Sequence, residues 1–203
     1  MDETKRPAIC RDPGHHHDGV IAGSRVAVLV ADGFEQREFD GPVQLLKQHG
    51  ACVEVVAPGV GSLQHIRGFS HFDEGPGTRG DRLIDQVHEA EYSALFIPGG
   101  CISPDTMRQS ERHLEFVRAF GRAGKPIFAI CHGPWLLADA GLLSGKTVTS
   151  WPGIRKDLER AGAAWVDEIA VSDGNLVTSR KPEDVPEFSQ AMLSVLTLAR
   201  AYA

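Results

Sequence analysis

Cys131 and His132 stand side by side at the end of an apolar run, Pro126-Ile127-Phe128-Ala129-Ile130, and just ahead of Gly133-Pro134-Trp135. A buried strand that runs into a nucleophilic side chain and then into a helix describes a nucleophile elbow. That turn is so sharp that the residues two before and two after the nucleophile must be small, and here they are Ala129 and Gly133. A thiol at a helix N-terminus faces unpaired backbone N–H groups and the positive end of the helix dipole, both of which favour thiolate. The chemistry such a group offers is covalent attack on an electrophilic carbon. The bland alternative is that Cys131 is a small buried apolar residue, the usual state of a free cysteine. His132 can act as base only if the turn swings its imidazole back to the sulfur, and spacing alone fits a packing role equally well. No histidine follows His132, so the downstream His-x-Glu of a glutamine amidotransferase has no counterpart.

These residues need a scaffold, and the pattern of the chain predicts one. Val26 to Val30 form a short continuous apolar run, which suits a strand covered on both faces of a parallel sheet. Phe39, Val43 and Leu46 recur at helical spacing, with Asp40 placed to cap, Pro42 near the first turn and Gly50 as a stop, predicting a helix of about two turns. Strand-like runs at Cys52 to Ala57, Ala94 to Ile97 and Pro126 to Ile130 alternate with a helix whose Met107, Leu114, Val117 and Phe120 share a face. Such repetition predicts an α/β fold, a flavodoxin-like, mostly parallel sheet with helices on both faces and ligands at the carboxyl ends of the strands. Residues Gln64 to Phe72 suggest a hairpin inside a polar stretch. Near the end, strands at Ile169 to Val171 and Leu176 to Ser179 flank an Asp173-Gly174 turn. A last helix buries Phe188, Met192, Val195 and Leu196.

Length and composition narrow the function classes. With 203 residues, one domain is expected. Residues 1–24, polar and carrying His15, His16 and His17, are read as a flexible leader outside the fold, and residues 25–203 as the single domain. A formal charge of −6 disfavours a phosphate backbone as partner, so nucleic acid is not expected. No apolar run suits a membrane span or a secretory signal, which predicts a cytoplasmic protein without membrane attachment. Cys10, Cys52, Cys101 and Cys131 form no CxxC pair, so reduced thiols are expected and neither a zinc site nor a disulfide framework is suggested. No phosphate-cradling glycine loop follows the first strand, so no cofactor is expected, and no metal is required.

Five stretches, Asp32-Gly33-Phe34-Glu35, Pro98-Gly99-Gly100, Ala129 to Trp135, Thr149 to Ile154, and Asp173-Gly174-Asn175 through Ser179-Arg180, together resemble the PfpI family in content and order. The resemblance spans Arg25 to about Phe188. It implies intracellular cysteine peptidases or, across the wider superfamily, glyoxalase-like, protein-deglycase and stress proteins. It also implies a homodimer able to assemble into hexamers. On this resemblance Asp105, after Pro104, is the acid that a neighbouring subunit presents to His132, although aspartate is one methylene shorter than glutamate. Glu35 maps to the carboxylate that approaches the thiol from the end of the first strand. If ionised it would repel a thiolate, so either it is protonated or the cysteine pKa stays raised. Gly99 and Gly100 lack side chains, so their N–H groups, with that of His132, could face a developing oxyanion; a plain turn is the alternative. Cys101 departs from the family pattern, and a second thiol there could resolve a sulfenic acid on Cys131.

The expected activity is thiolate addition to small carbonyl compounds or glycated groups, or else to peptide carbonyls, with Cys131, His132, Glu35 and Asp105 catalytic. A reading from another class is a redox sensor or chaperone that uses an oxidisable Cys131.

Overall fold

Alternation of side chains along the inner strands splits the buried residues into two layers. The computed structural model describes residues 19–201, so Cys10 and the His15 to His17 run lie outside the described residues. The strands are β1 Arg25–Leu29, β2 Phe34–Glu35, β3 Cys52–Ala57, β4 Gly68–Ser70, β5 Asp73–Glu74, β6 Arg82–Leu83, β7 Ala94–Ile97, β8 Ile127–Ile130, β9 Thr147–Val148, β10 Ala164–Trp165, β11 Ala170–Asp173 and β12 Leu176–Ser179. The helices are α1 Gln36–Gln48, α2 Ile102–Arg108, α3 Glu111–Arg122, α4 Pro134–Asp139, α5 Arg155–Arg160 and α6 Val185–Ala201.

Seven strands pair in the order β11-β12-β8-β7-β1-β3-β6. Every pairing is parallel except β11 with β12, which turn back at Gly174, φ 64°. Leu29, Leu95, Ile97 and Ala129 point to one face, where Met107, Phe116, Phe120, Leu136 and Leu158 of α2 to α5 cover them. Val28, Val30, Phe96, Phe128 and Ile130 point to the other, under Phe39 and Val43 of α1 and Phe188 and Met192 of α6. Because both faces are covered, the central strands carry unbroken apolar runs. The fold is the expected mostly parallel α/β sandwich.

Several local expectations need correcting. The α1 helix begins at Gln36 with Glu35 as its N-cap, so Asp40 is interior and the helix is about a turn and a half longer than the spacing suggested. Pro42 lies inside it, where the missing N–H leaves the carbonyl of Glu38, four residues back, without its usual donor. The single helix expected from Met107 to Phe120 is two, α2 and α3, separated at Gln109-Ser110. Residues 19–24, assigned to the leader, already join the body: Ile21 is fully buried and its N–H donates to the His49 carbonyl at 3.2 Å. A hairpin is present but lies later than Gln64 to Phe72: β4 and β5 pair antiparallel around a turn at His71-Phe72, so the second strand falls beyond the expected stretch, and β2 runs parallel beside β4. Cys101 and Cys131 are free, whereas Cys52 is not, so the expectation of a reduced thiol fails at Cys52.

His113, on α3, is 4% exposed, and neither ring nitrogen has a hydrogen-bond partner among the described residues. Burial, helped by the neighbouring Arg112 charge, lowers its pKa to about 4. The unfolded chain therefore binds a proton near pH 6.5 that the folded chain refuses until about pH 4. Stability is complete above pH 6.5 and is lost as pH falls through that window, by about 3 kcal/mol from this group. His113→Leu is expected to remove that part of the acid sensitivity, read as a flatter melting temperature between pH 7 and pH 4.

Candidate active site

The elbow forms as the residue pattern predicts. Cys131 leaves β8 in the left-handed region, φ 60°, a conformation that costs a non-glycine residue energy and persists only where surroundings hold it. Its N–H donates to the Ser179 carbonyl at 3.0 Å, its carbonyl accepts from the Trp151 N–H at 3.0 Å, and the Gly133 N–H closes on Ile130 at 2.8 Å. A Cβ on Gly133 would lie 2.6 Å from the Ile97 carbonyl oxygen. The elbow therefore fits only because that residue has no side chain.

Cys131 is 7% exposed and opens into a pocket of about 470 Å³. The His132 ring does swing back: its Nδ1 lies 3.2 Å from Sγ. The imidazole is held between two indoles, stacked on Trp151 with planes at 24° and edge-on to Trp135. Burial lowers its pKa, so it is neutral at neutral pH and able to accept a proton.

The carboxylate that reaches the thiol is Glu38, in the first turn of α1, and not Glu35. Glu38 is fully buried beside the sulfur, close enough for the two groups to perturb each other's titration; its Oε2 accepts the Gly99 N–H at 3.1 Å, and its Oε1 has no hydrogen-bond partner among the described residues. Glu35 instead caps α1 and accepts the His71 N–H at 3.1 Å. It still lines the pocket, as does the exposed Cys101. The expected glycine pair also divides. The N–H groups of Gly100 and His132 lie near enough to the sulfur to oppose the rise in its pKa, while the N–H of Gly99 is taken by Glu38. Asp105 lies exposed on α2, where its carboxylate accepts from Gln109 of the same helix. Among the described residues nothing brings it to His132.

The electrostatics differ from the thiolate-favouring field expected at the elbow. Burial pushes the Cys131 pKa well up, a negative charge on Glu38 would push it further, and the two backbone N–H groups oppose this. The α4 helix is only six residues long, too short for a full dipole to offset the desolvation. Burial, then the nearby Glu35, raises the Glu38 pKa well above its ordinary 4.5. Two such groups in contact titrate as a pair. We assign Glu38 as protonated at neutral pH, because a neutral carboxyl removes the charge that opposes ionisation of the thiol and can donate to the thiolate once it forms.

This has a consequence for stability. A carboxyl whose folded pKa is raised stabilises the fold below about pH 4.5, and that contribution is lost as pH climbs from there towards its folded pKa. Glu38→Gln is expected to melt above the parent at pH 8, with the gap closing towards pH 4. A gap that widens on acidification would contradict a protonated Glu38.

Among the described residues, no helix is long and apolar enough to cross a membrane. Nor does any group of three or more His, Cys, Asp or Glu side chains gather closely enough to hold a metal ion.

A model of the DJ-1/PfpI family matches residues 24–195. The Bacillus subtilis (strain 168) protein named "Putative cysteine protease YraA" is 41% identical over 172 residues, 85% of this chain and 98% of its own. General stress protein 18 of the same organism is 39% identical, over 86% and 98%. Protein/nucleic acid deglycase 2 of Escherichia coli (strain K12) is 39% identical, over 85% and 97%. Among solved structures, Drosophila melanogaster DJ-1beta superposes with a TM-score of 0.76 at 28% identity, over 86% of this chain and 90% of that one. A two-domain Anabaena variabilis protein with DJ-1/ThiJ/PfpI-like and ferritin-like domains gives a TM-score of 0.80 at 37% identity. There the match covers 85% of this chain but only 48% of the other. On a family match that runs almost the full length of the described fold, and on relatives covered nearly end to end, this chain belongs to the DJ-1/PfpI family.

Proposed function

We propose that this protein is a thiol-dependent enzyme acting on small carbonyl compounds and on the adducts they form with amines, a glyoxalase-like or deglycase activity. The observation that carries the reading is the thiol of Cys131 with His132 Nδ1 3.2 Å from its sulfur and the buried Glu38 carboxyl beside it, all lining a pocket sized for a small molecule. A relative named as a deglycase supports it.

The chemistry follows from these groups. Sγ attacks the aldehyde carbon, a C–S bond forms, and the carbonyl electron pair moves to oxygen. The proton leaving sulfur passes to Nδ1 of neutral His132, 3.2 Å away, and on to that oxygen, giving a hemithioacetal. With an α-oxoaldehyde, a proton then moves from the carbon bearing sulfur to its neighbour while the hydroxyl proton passes to the neighbouring oxygen, producing the thioester of a 2-hydroxy acid. Water cleaves the thioester and restores the thiol. Net, methylglyoxal and water give lactate. Asp105 from a second copy of the chain would orient His132, which makes the proposed assembly a homodimer at least.

Incubation with methylglyoxal and, separately, with casein tests the reading, beside Cys131→Ala. Lactate from the parent and none from the variant is the expected result. Peptide release without lactate would replace the reading with cysteine peptidase activity, which the name of another relative favours. A redox sensor is the second reading, favoured by the carboxyl beside the sulfur. It predicts about 32 Da added at Cys131 by mild peroxide, with no turnover of either substrate.

A further inference from the structure

Glu35 ties three parts of the site together without touching the sulfur. Its backbone N–H donates to the Gly99 carbonyl at 3.1 Å, fixing the turn that presents Gly100. Its Oε1 accepts the Arg37 N–H at the start of α1, the helix that carries Glu38. Its Oε2 accepts the N–H of His71 at 3.1 Å, at the tip of the β4–β5 hairpin. His71 sits in the left-handed region, φ 59°, where a side chain is uncommon and something must hold it. Glu35 is the group that holds it.

The consequence lies one residue on. Phe72 is 94% exposed, yet it lines the Cys131 pocket together with His71 and Phe69. Ile102, 60% exposed, and Trp151, 41% exposed, line the same pocket. Three large apolar side chains left in solvent around one opening form the kind of patch that marks a binding site. No Lys or Arg is among the lining residues, and two carboxyl groups are, so no cationic side chain stands in the pocket to pair with an anionic substituent.

We propose that Glu35 and His71 are positioning residues that hold Phe72 over the pocket, and that this apolar rim makes the site select neutral carbonyl compounds carrying an aromatic or bulky apolar substituent. The choice of a carbonyl rests on the function proposed above; the choice of substituent does not. Selection for it can be measured whether or not the protein turns over any substrate, through alkylation of Cys131.

The test compares second-order rates for iodoacetate, iodoacetamide and N-benzyl iodoacetamide at Cys131, each divided by its rate with free cysteine. The benzyl reagent is expected to gain at least about fivefold over iodoacetamide, and iodoacetate to fall below it. Phe72→Ala is expected to erase the benzyl gain while leaving the iodoacetamide rate within about twofold. Glu35→Ala is expected to erase it too, and Glu35→Gln, which keeps a carbonyl oxygen for the His71 N–H, to retain it. Circular dichroism and melting curves confirm that each variant is folded. Equal benzyl and plain rates in the parent would overturn the proposal. So would loss of the gain accompanied by dissociation of an oligomer in sedimentation, since Phe72 would then be serving a partner chain. If the gain is present but methylglyoxal and phenylglyoxal are both inert, the rim stands and the carbonyl function fails.

Discussion

Glu38→Ala is expected to slow methylglyoxal turnover by about a hundredfold to a thousandfold, the usual cost of removing one preorganised donor from a desolvated site. Three consequences of the substitution act together. The neutral carboxyl beside Sγ disappears, the Gly99 N–H loses the acceptor it has at 3.1 Å, and the cysteine is left in a buried pocket with only the nearby Gly100 and His132 N–H groups to favour its charge. Iodoacetamide labelling of Cys131 should slow as well, because both reactions begin from the thiolate. Glu35→Gln sets the contrast. Its one remaining carbonyl oxygen keeps the hold on His71 and gives up only the long 3.5 Å cap to the Arg37 N–H, so turnover of methylglyoxal, which is too small to need the hydrophobic rim, should stay within about threefold. Should Glu35→Gln prove as damaging as Glu38→Ala, the assignment of the two carboxyls would have to be exchanged.

Gly133→Ala carries the largest expected effect on stability. Its new methyl would sit 2.6 Å from the Ile97 carbonyl oxygen and 2.9 Å from that of Ile130. Both belong to the backbone of central strands, so no flexible side chain can give way. Overpacking of this kind costs about 1 to 3 kcal/mol where atoms can shift, and here the upper end applies. In a chain of this length that lowers the melting temperature by about 6 to 12 °C. Gly61→Ala is the control: its methyl would meet nothing within 4 Å and its φ is not positive, so its melting temperature should move by no more than about 2 °C. Comparable losses in the two variants would show that the crowding at the elbow is relieved by a backbone adjustment that the distances do not suggest.

Much of the architecture was legible because it depends on local pattern. Val26 to Val30, Cys52 to Ala57 and Ala94 to Ile97 are apolar without alternation, and only strands covered on both faces read that way. The elbow was legible for a related reason: Ala129 and Gly133 are small where the turn is sharp, and Cys131 lies between them. The break between α2 and α3 escaped the pattern because Met107 and Leu114 keep a helical phase across Gln109-Ser110, so apolar periodicity alone does not see the interruption.

What the amino-acid sequence by itself determined is the alternation of the main strands and helices, the place of the Cys131 thiol at the elbow, and the presence of His132 beside it, since each follows from neighbours along the chain. Which carboxyl serves the thiol was decided only by tertiary structure. Glu35 and Glu38 are three residues apart, and the choice turns on where α1 starts, on the cap that Glu35 makes and on its bond to a hairpin 36 positions away. The same holds for the sulfur's protonation, because burial among β8, α1 and the Gly99-Gly100 turn sets the desolvation, and that is a property of packing which no run of adjacent residues encodes.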